Sequence, residues 1–366
     1  MGKDKILIVA QEGLNKGGVQ TVIMSLVRNL SSKYQFDIIL FTKETRFYDQ
    51  EFLSYGGRIF RISFFKSRNL YFRRCEKILR RTIGFYKTKH IINKNGPYKA
   101  IHCHNCLESD RTLQAAMCCG IKVRVNQVHV VFDDFGLPTY RRRQYDTRKR
   151  IMSELATSSI GCSEKACSSF FVGPYQVIVN PFDDVLYHKR MIDSIDFQSP
   201  VLIQVGNYSS LKNQLFTLAV FKEILRVYPE AHLNFIGHDD EGYLKQMQQF
   251  ILNNSISKHV HFYPSDTDIP SIYEKSCYCL LPSRTESFGI VLVEAQAMGL
   301  KCWASNNVPI EPNAGGCNYL PINNPETWAN AIINDFRETN GRHSEYNVDA
   351  YKGSVIAEKI EQLYNV

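Results

Sequence analysis

The sequence predicts two α/β domains, each built on a doubly wound parallel sheet. Strand-like apolar runs alternate with amphipathic helical runs along the whole chain, the pattern of successive βαβ units. A fresh series of such units begins at Val201, after a polar stretch. The 366 residues suffice for two domains, each with its own core.

In the first half, strands are expected near Lys5–Ala10, Phe36–Thr42, Arg58–Ile62, Ala100–Cys103, Lys122–Val128 and Ser158–Cys162. Gly17-Gly18 follows the first strand and precedes a helix over Val19–Leu30. Asn180-Pro-Phe-Asp-Asp184 reads as a breaker that closes a first domain over 1–184, with 185–199 as a polar linker. A second domain over 200–350 has strands near Pro200–Val205, His232–Ile236, His259–Tyr263, Tyr278–Pro282 and Lys301–Ala304. Its helix Lys212–Tyr228 carries Leu215, Leu218, Ala219, Ile224 and Leu225 at helical spacing and stops at Pro229. A last helix, within 351–366, is expected to return to the first domain. Ligands of such sheets bind at the carboxyl ends of the strands, here in a cleft between facing domains.

Composition narrows the classes. Hydrophobic content of 44% and charged content of 22% are ordinary for a globular chain. No apolar run reaches the roughly 18 residues of a membrane-spanning helix. The apolar part of Met1–Ala10 is too short for a signal peptide and reads as a strand. Eleven cysteines without paired spacing indicate free thiols and a cytoplasmic location.

The net charge of +8 is uneven, since residues 58–99 hold thirteen Lys/Arg against the single acid Glu76. Arg141-Arg-Arg143 and Arg148-Lys-Arg150 add to the same half. Tyr71, Phe72, Cys75, Ile78, Leu79, Ile83 and Tyr86 recur between the cations at three- and four-residue steps. A basic helix with an aromatic stripe suits an anionic membrane surface. The same stripe could instead pack on the domain's own sheet. Nucleic acid is not expected as a partner, because no DNA- or RNA-binding motif accompanies the charge.

The segment Pro282-Ser-Arg-Thr-Glu-Ser-Phe-Gly-Ile-Val-Leu-Val-Glu-Ala-Gln-Ala-Met-Gly299 holds the most chemistry. Ile290–Met298 is almost wholly apolar and lacks Pro and Gly, so it reads as a buried helix. Its one charge, Glu294, is costly to bury unpaired and should face a polar cleft. Ser287 is the expected N-cap, leaving the amides of Phe288, Gly289 and Ile290 free at the positive end of the helix dipole. Such an end binds phosphate or diphosphate, with Glu286 at its mouth and Glu294 further along to take sugar and ribose hydroxyls. A plainer reading also exists, because Ser283 and Glu286 have capping-box spacing.

Two glycine turns stand beside this segment. Val205-Gly-Asn-Tyr-Ser-Ser-Leu-Lys-Asn-Gln214 follows a strand, and Lys212 there can meet phosphate charge. Gly17 and Gly18 let backbone approach a ligand ahead of a helix, although a dinucleotide Gly-x-Gly-x-x-Gly is absent. His129 lies at the end of strand Lys122–Val128, with Gln127 two residues before it; a satisfied core histidine is the alternative. His102 and His104 end the preceding strand. Zinc on His102, Cys103, His104 and Cys106 is disfavoured, because alternate strand residues point to opposite faces. In Asp266-Thr-Asp268, Asp268 reads as an N-cap followed by Pro270, not as a metal ligand.

The segment around Glu286 and Glu294 resembles the Glu-x7-Glu motif of family 4 of the retaining glycosyltransferases, enzymes of the two-domain GT-B fold. Gly206 to Asn213 is similar to the family's Gly-Arg-x4-Lys-Asn stretch, with Lys212 at the lysine and Asn207 at the arginine. Asn cannot supply a charge or a bidentate fork. Gly17-Gly18 resembles the family's glycine-pair loop, with Gln20 where many relatives carry an acid, and His129 matches a histidine that lines the cleft. Glu294-Ala-Gln-Ala-Met-Gly-Leu300 and Asn324-Pro-Glu-Thr-Trp-Ala-Asn330 resemble bacterial exopolysaccharide and capsule glycosyltransferases.

The resemblance implies transfer of a hexosyl group, with retention, from a nucleoside-diphosphate sugar to a lipid-linked saccharide. UDP is the expected carrier. Glu286 and His129 would serve catalysis. Gly17, Gly18, Gly206, Asn207, Lys212, Ser287, Phe288, Gly289, Ile290 and Glu294 would hold the donor. No metal or other cofactor is implied, and the expected place is the inner membrane face. A GT-B epimerase or hydrolase, or a weakly active partner or membrane-binding subunit, stands as the alternative.

Overall fold

A computed structural model describes residues 2–15, 17–63, 70–104, 106–132, 138–187, 197–239 and 242–365, without the side chains of 70–78, 80 and 106. The chain divides into two compact units, 1–181 with 353–366 and 182–352.

The first unit contains β1 (Asp4–Ala10), α1 (Gly18–Leu30), β2 (Tyr34–Leu40), α2 (Asp49–Ser54), β3 (Ile59–Arg61), α3 (Leu70–Asn95) and β4 (Ala100–Cys103). It continues through α4 (Ser109–Cys118), β5 (Val123–Val128), α5 (Thr139–Leu155), β6 (Ser158–Gly161), α6 (Glu164–Phe170) and β7 (Gln176–Val177). The second holds β8 (Val201–Val205), α7 (Gln214–Leu225), β9 (His232–Ile236), α8 (Leu244–Asn253), β10 (Val260–Tyr263) and α9 (Ile269–Tyr273). After these come β11 (Tyr278–Leu281), α10 (Ile290–Ala297), β12 (Lys301–Ser305), β13 (Cys317–Leu320) and α11 (Pro325–Thr339). The last helix, α12 (Gly353–Tyr364), belongs to the first unit.

Both sheets are parallel throughout, with orders β3-β2-β1-β4-β5-β6-β7 and β10-β9-β8-β11-β12-β13. Ile6 to Val9 in β1 are fully buried on both faces, as expected of a parallel strand covered above and below by helices. Strand order reverses between β1 and β4 in one sheet and between β8 and β11 in the other. These are the switch points at which doubly wound sheets open for ligands.

α12 closes the core of the first unit, setting Ile356, Ala357, Ile360 and Tyr364 among Leu26, Val27 and Leu30 of α1. The core of the second centres on Trp328, fully buried and edge-on to Phe216 at 5.4 Å. Asp268 stands at the N-cap of α9 with Pro270 in its first turn, as its sequence reads.

Several boundaries differ from expectation. α1 begins at Gly18, one residue early. α7 begins at Gln214, because Asn213 takes the left-handed conformation (φ 60°) and leaves Lys212 in the preceding loop. The edge strands β7 and β13 were not expected; their residues carry no buried apolar run, and pairing to β6 and β12 alone defines them.

The basic stretch forms α3, but the side chains of Tyr71, Phe72, Cys75 and Ile78, and six of its cations, lie outside the described residues. Leu79 and Tyr86 are exposed, at 58% and 64%. Arg58, Arg61, Arg81 and Lys99 form ion pairs with Asp37, Asp49, Asp110 and Asp4. These four cations brace the fold.

Candidate active site

At the switch point of the second sheet, the loop after β8 lies against the loop after β11. Asn213 Nδ2 donates to the Pro282 carbonyl at 3.2 Å, and the Arg284 amide donates to the Leu211 carbonyl at 2.8 Å. Buried Gln204 holds the first loop from below, donating to the Lys212 carbonyl at 2.8 Å and accepting from Thr217 at 2.6 Å. Gly206 sits at φ 143°, and the Lys212 stem runs 3.6 Å from where its Cβ would be. Any Cβ at Gly237 would meet the Gly206 carbonyl, so two glycines let these turns touch. The carbonyl of Asn207 accepts from Gln214 Nε2 at 3.0 Å.

With its backbone fixed, Lys212 reaches Glu286 at 2.5 Å between Nζ and Oε2. Ser283 Oγ donates to the same oxygen at 3.3 Å. The two side chains keep 29% and 15% of their surface exposed, so solvent reaches the pair. A partly exposed cation and carboxylate at a switch point can each exchange its partner for a ligand group.

α10 starts behind this pair, but not as the sequence suggests. Its N-cap is Gly289 at φ 92°, and Ser287 lies outside the helix. The left-handed turn is needed because the chain reverses against Leu281 and Val308, where a Cβ would stand 3.1 and 3.4 Å from their side chains. Leu292 N–H donates to the Gly289 carbonyl at 2.9 Å. The first-turn amides without helical acceptors are therefore those of Ile290 and Val291. The expected set, Phe288 to Ile290, coincides only at Ile290, and the Phe288 ring is buried in the core.

Glu294 lies one turn along α10, among buried Leu292, Val293, Ala295 and Gln296. It keeps part of its surface exposed, yet burial around the carboxyl pushes its pKa up to about 8, with the Asp183 carboxylate adding to the shift. The ionised group expected from the sequence is corrected to a carboxyl that is largely neutral at pH 7. Sequence reasoning passed over Gln296, which donates to the Leu292 and Pro312 carbonyls and accepts from the amides of Ala314 and Gly316, at 2.8 to 2.9 Å. A buried amide within an apolar helix was the available signal.

In the first unit, Gly17 caps α1 in an extended conformation and Gly18 is its first residue. Gln20 Nε2 donates to the Gly13 carbonyl at 3.1 Å, and a Cβ at Gly17 would lie 2.6 Å from Gln20 Oε1. Gly18 faces open space.

His129, just past β5, is buried and shares a 2.8 Å hydrogen bond between its Nε2 and His104 Nδ1. His104 stacks on His102 at 4.2 Å, and His102 Nδ1 meets Tyr364 Oη of α12 at 2.7 Å. Burial pushes His102 down to about 3, His129 to about 4 and His104 well below the usual range. His102 is a fully buried core histidine.

Among the described residues, no group of three His, Cys, Asp or Glu is arranged to hold a metal ion. No described helix is long and apolar enough to cross a membrane.

Two parallel-sheet units with ligand-type loops at both switch points define a GT-B glycosyltransferase frame, and comparison bears this out. A glycosyltransferase of Rickettsia africae superposes with a TM-score of 0.75 at 14% identity, covering 100% of this chain and 98% of that one. Anabaena HepE, crystallised with UDP, superposes at 0.73 and 16% identity over 98% and 95%.

By sequence, residues 189–335 match the family Glycosyl transferases group 1. EpsF of Bacillus subtilis, which bears the name of a glycosyltransferase, is 26% identical over 340 residues, 87% of this chain and 85% of its own. The D-inositol 3-phosphate glycosyltransferase of Corynebacterium jeikeium is 26% identical over 185 residues, and the match spans 44% of its length.

Proposed function

We propose that the protein transfers a hexosyl group from a nucleoside-diphosphate sugar to a hydroxyl of a lipid-linked saccharide, retaining anomeric configuration, in exopolysaccharide, capsule or O-antigen synthesis. The observation that carries this reading is the Lys212–Glu286 pair beside the open first turn of α10. It offers a cation and amides for a diphosphate, and a carboxylate for sugar hydroxyls. The solved relative HepE binds UDP, with glucose in one crystal and as UDP-glucose in another, which supports UDP as the carrier.

In this reading the acceptor oxygen bonds to the anomeric carbon as the bond from that carbon to the diphosphate breaks. Negative charge gathers on the departing diphosphate. Lys212 and the amides of Ile290 and Val291 stabilise it there, a role that needs no metal. Gly206 and Asn207 shape the turn beside the phosphates, and Ser287 to Gly289 bring the chain into α10. Glu286 accepts from the donor sugar's hydroxyls. Glu294, largely protonated when empty, binds the ribose. In the first unit, Gly17 and Gly18 offer backbone to the donor and His129 meets the transferred sugar. The exposed Leu79 and Tyr86 of α3, with the basic residues around them, would rest on an anionic membrane at its cytoplasmic face.

Calorimetric titration with UDP, GDP, ADP and CDP tests the donor site. Saturable binding of one nucleotide, weakened in Lys212→Ala, is expected. Failure of all four to bind would overturn the reading.

A further inference from the structure

Ser283 and Glu286 have the spacing of a capping box, yet no helix begins between them. α10 starts at Ile290, with Gly289 as its N-cap. The contact is also of the wrong kind for a cap. Ser283 Oγ donates to the Glu286 carboxylate at 3.3 Å, whereas a capping serine accepts from a backbone amide. Helix capping therefore does not account for this pair of side chains.

Ser283 is fully buried, and its backbone is tied down on both sides. On the side of the β8 loop, the Pro282 carbonyl accepts from Asn213 Nδ2 at 3.2 Å, and the Arg284 amide donates to the Leu211 carbonyl at 2.8 Å. On the side of β12, the Ser283 carbonyl accepts from Ser305 Oγ at 2.5 Å. Ser305 is fully buried too, and its Oγ accepts in turn from the Asn307 amide at 3.2 Å. The Glu286 stem lies over Gly289, where a Cβ would stand 3.5 Å from Glu286 Cγ. The Ser283 hydroxyl is thus a donor in a fixed place beside the carboxylate.

Glu286 Oε2 has two donors of unlike kind. Lys212 Nζ, at 2.5 Å, stands at the end of a long, flexible stem and comes from another loop. Ser283 Oγ, at 3.3 Å, sits on a short side chain and cannot follow a ligand. An anion that draws Lys212 away leaves the serine as the one of these two donors still in place. With the lysine gone, the contact has room to shorten toward the roughly 2.5–2.7 Å usual for a hydroxyl on a carboxylate.

We propose that Ser283 is a positioning residue: its hydroxyl holds Glu286 Oε2 when Lys212 turns to the diphosphate, so that the carboxylate meets the donor sugar's hydroxyls in one orientation. A sugar O–H takes the lone pair that Lys212 vacates. The inference rests on the donor reading of the Lys212–Glu286 pair and adds to it a residue that touches neither phosphate nor sugar.

UDP and UDP-glucose are the probes, titrated into the full chain by calorimetry. Ser283→Ala should leave UDP affinity within about twofold of the wild type and weaken UDP-glucose by about fivefold or more, the effect of losing one hydrogen bond to a charged group. In a Glu286→Ala background, Ser283→Ala should change neither affinity, because the serine acts through the carboxylate. An equal loss for both probes, or the same loss in that background, would mark a purely structural serine and overturn the proposal.

A crystal structure of the wild type with UDP-glucose decides the point without any variant. Ser283 Oγ within about 3.0 Å of Glu286 Oε2, with Lys212 on the diphosphate, is the expected result. A Ser283 hydroxyl turned away from Glu286 overturns it. If the wild type binds both probes and their affinity ratio survives Ser283→Ala, the donor reading stands and this inference falls. If the wild type binds neither, both fall.

Discussion

Lys212 Nζ stands 2.5 Å from Glu286 Oε2, a contact between residues 74 positions apart. The pair neutralises itself while the site is empty. In the proposed function a diphosphate would take Lys212 from Glu286, and a sugar would take Glu286 from Lys212. Both exchanges are served by one donor molecule, so carrier and sugar should bind cooperatively at this point. Partial exposure of both side chains lets solvent and ligand reach the resting pair.

Opposite substitutions in the pair should separate these effects. Lys212→Ala removes a charge-assisted contact of about 1.5–3 kcal/mol, weakening UDP binding by roughly tenfold to a hundredfold in calorimetry. Glu286→Gln releases Lys212, so UDP alone should bind as well as in the wild type or better. The extra affinity of UDP-glucose over UDP should vanish. Weaker binding of UDP to Glu286→Gln would contradict the exchange.

Glycine substitutions should part company by backbone geometry. Gly289→Ala places a Cβ at φ 92° and 3.1 Å from Leu281 Cδ2, and should cost about 1–2 kcal/mol or more in urea unfolding. Gly18→Ala, at an open position in the first turn of α1, should be neutral or stabilise by up to about 1 kcal/mol.

Glu294 should make stability fall as pH rises. Its folded pKa of about 8 lies above its ordinary 4.5, so between these values the native state holds a proton that the unfolded chain has lost. Stability from this group is fully present below pH 4.5 and is lost as pH climbs towards 8. Glu294→Gln should remove that slope, read as a wild-type-minus-variant Tm that declines steadily across the window. A pH-independent difference would show that the carboxyl is not buried enough to titrate late.

The histidine column should act in the other direction. His129 and His102, at about 4 and 3 against an ordinary 6.5, stay neutral in the fold while the unfolded chain binds protons. Stability should fall as pH drops below 6.5 and go on falling until the folded values are reached. Tyr364→Phe leaves His102 Nδ1 without its partner and should cost about 1–3 kcal/mol, measured by urea unfolding at pH 7. No loss would mean that another group satisfies His102.

Much of this was legible in the chain. The run Ile6 to Val9, the helical spacing of Leu215, Leu218 and Ile224, and the switch of period between them are local signals, and they gave the α/β class. The segment from Glu286 to Glu294 marked the candidate site through its apolar helix and two carboxylates. Ser287 was misread as the cap because it is a good capping residue by type, whereas Gly289 wins through a contact with Leu281 and Val308 that no local pattern contains. β7 and β13 were missed because short edge strands are defined by their neighbours.

By itself the sequence determined which segments fold into strands and helices, and which residue types gather at the glycine turns, because propensity and periodicity act over a few residues. Tertiary structure alone decided that β8 lies beside β11, and so that Lys212 meets Glu286. It also decided that burial raises the pKa of Glu294 and that three histidines and Tyr364 share one column. Strand order and burial depend on contacts between residues far apart in the chain, and desolvation and hydrogen-bond partnership follow only once those contacts are made.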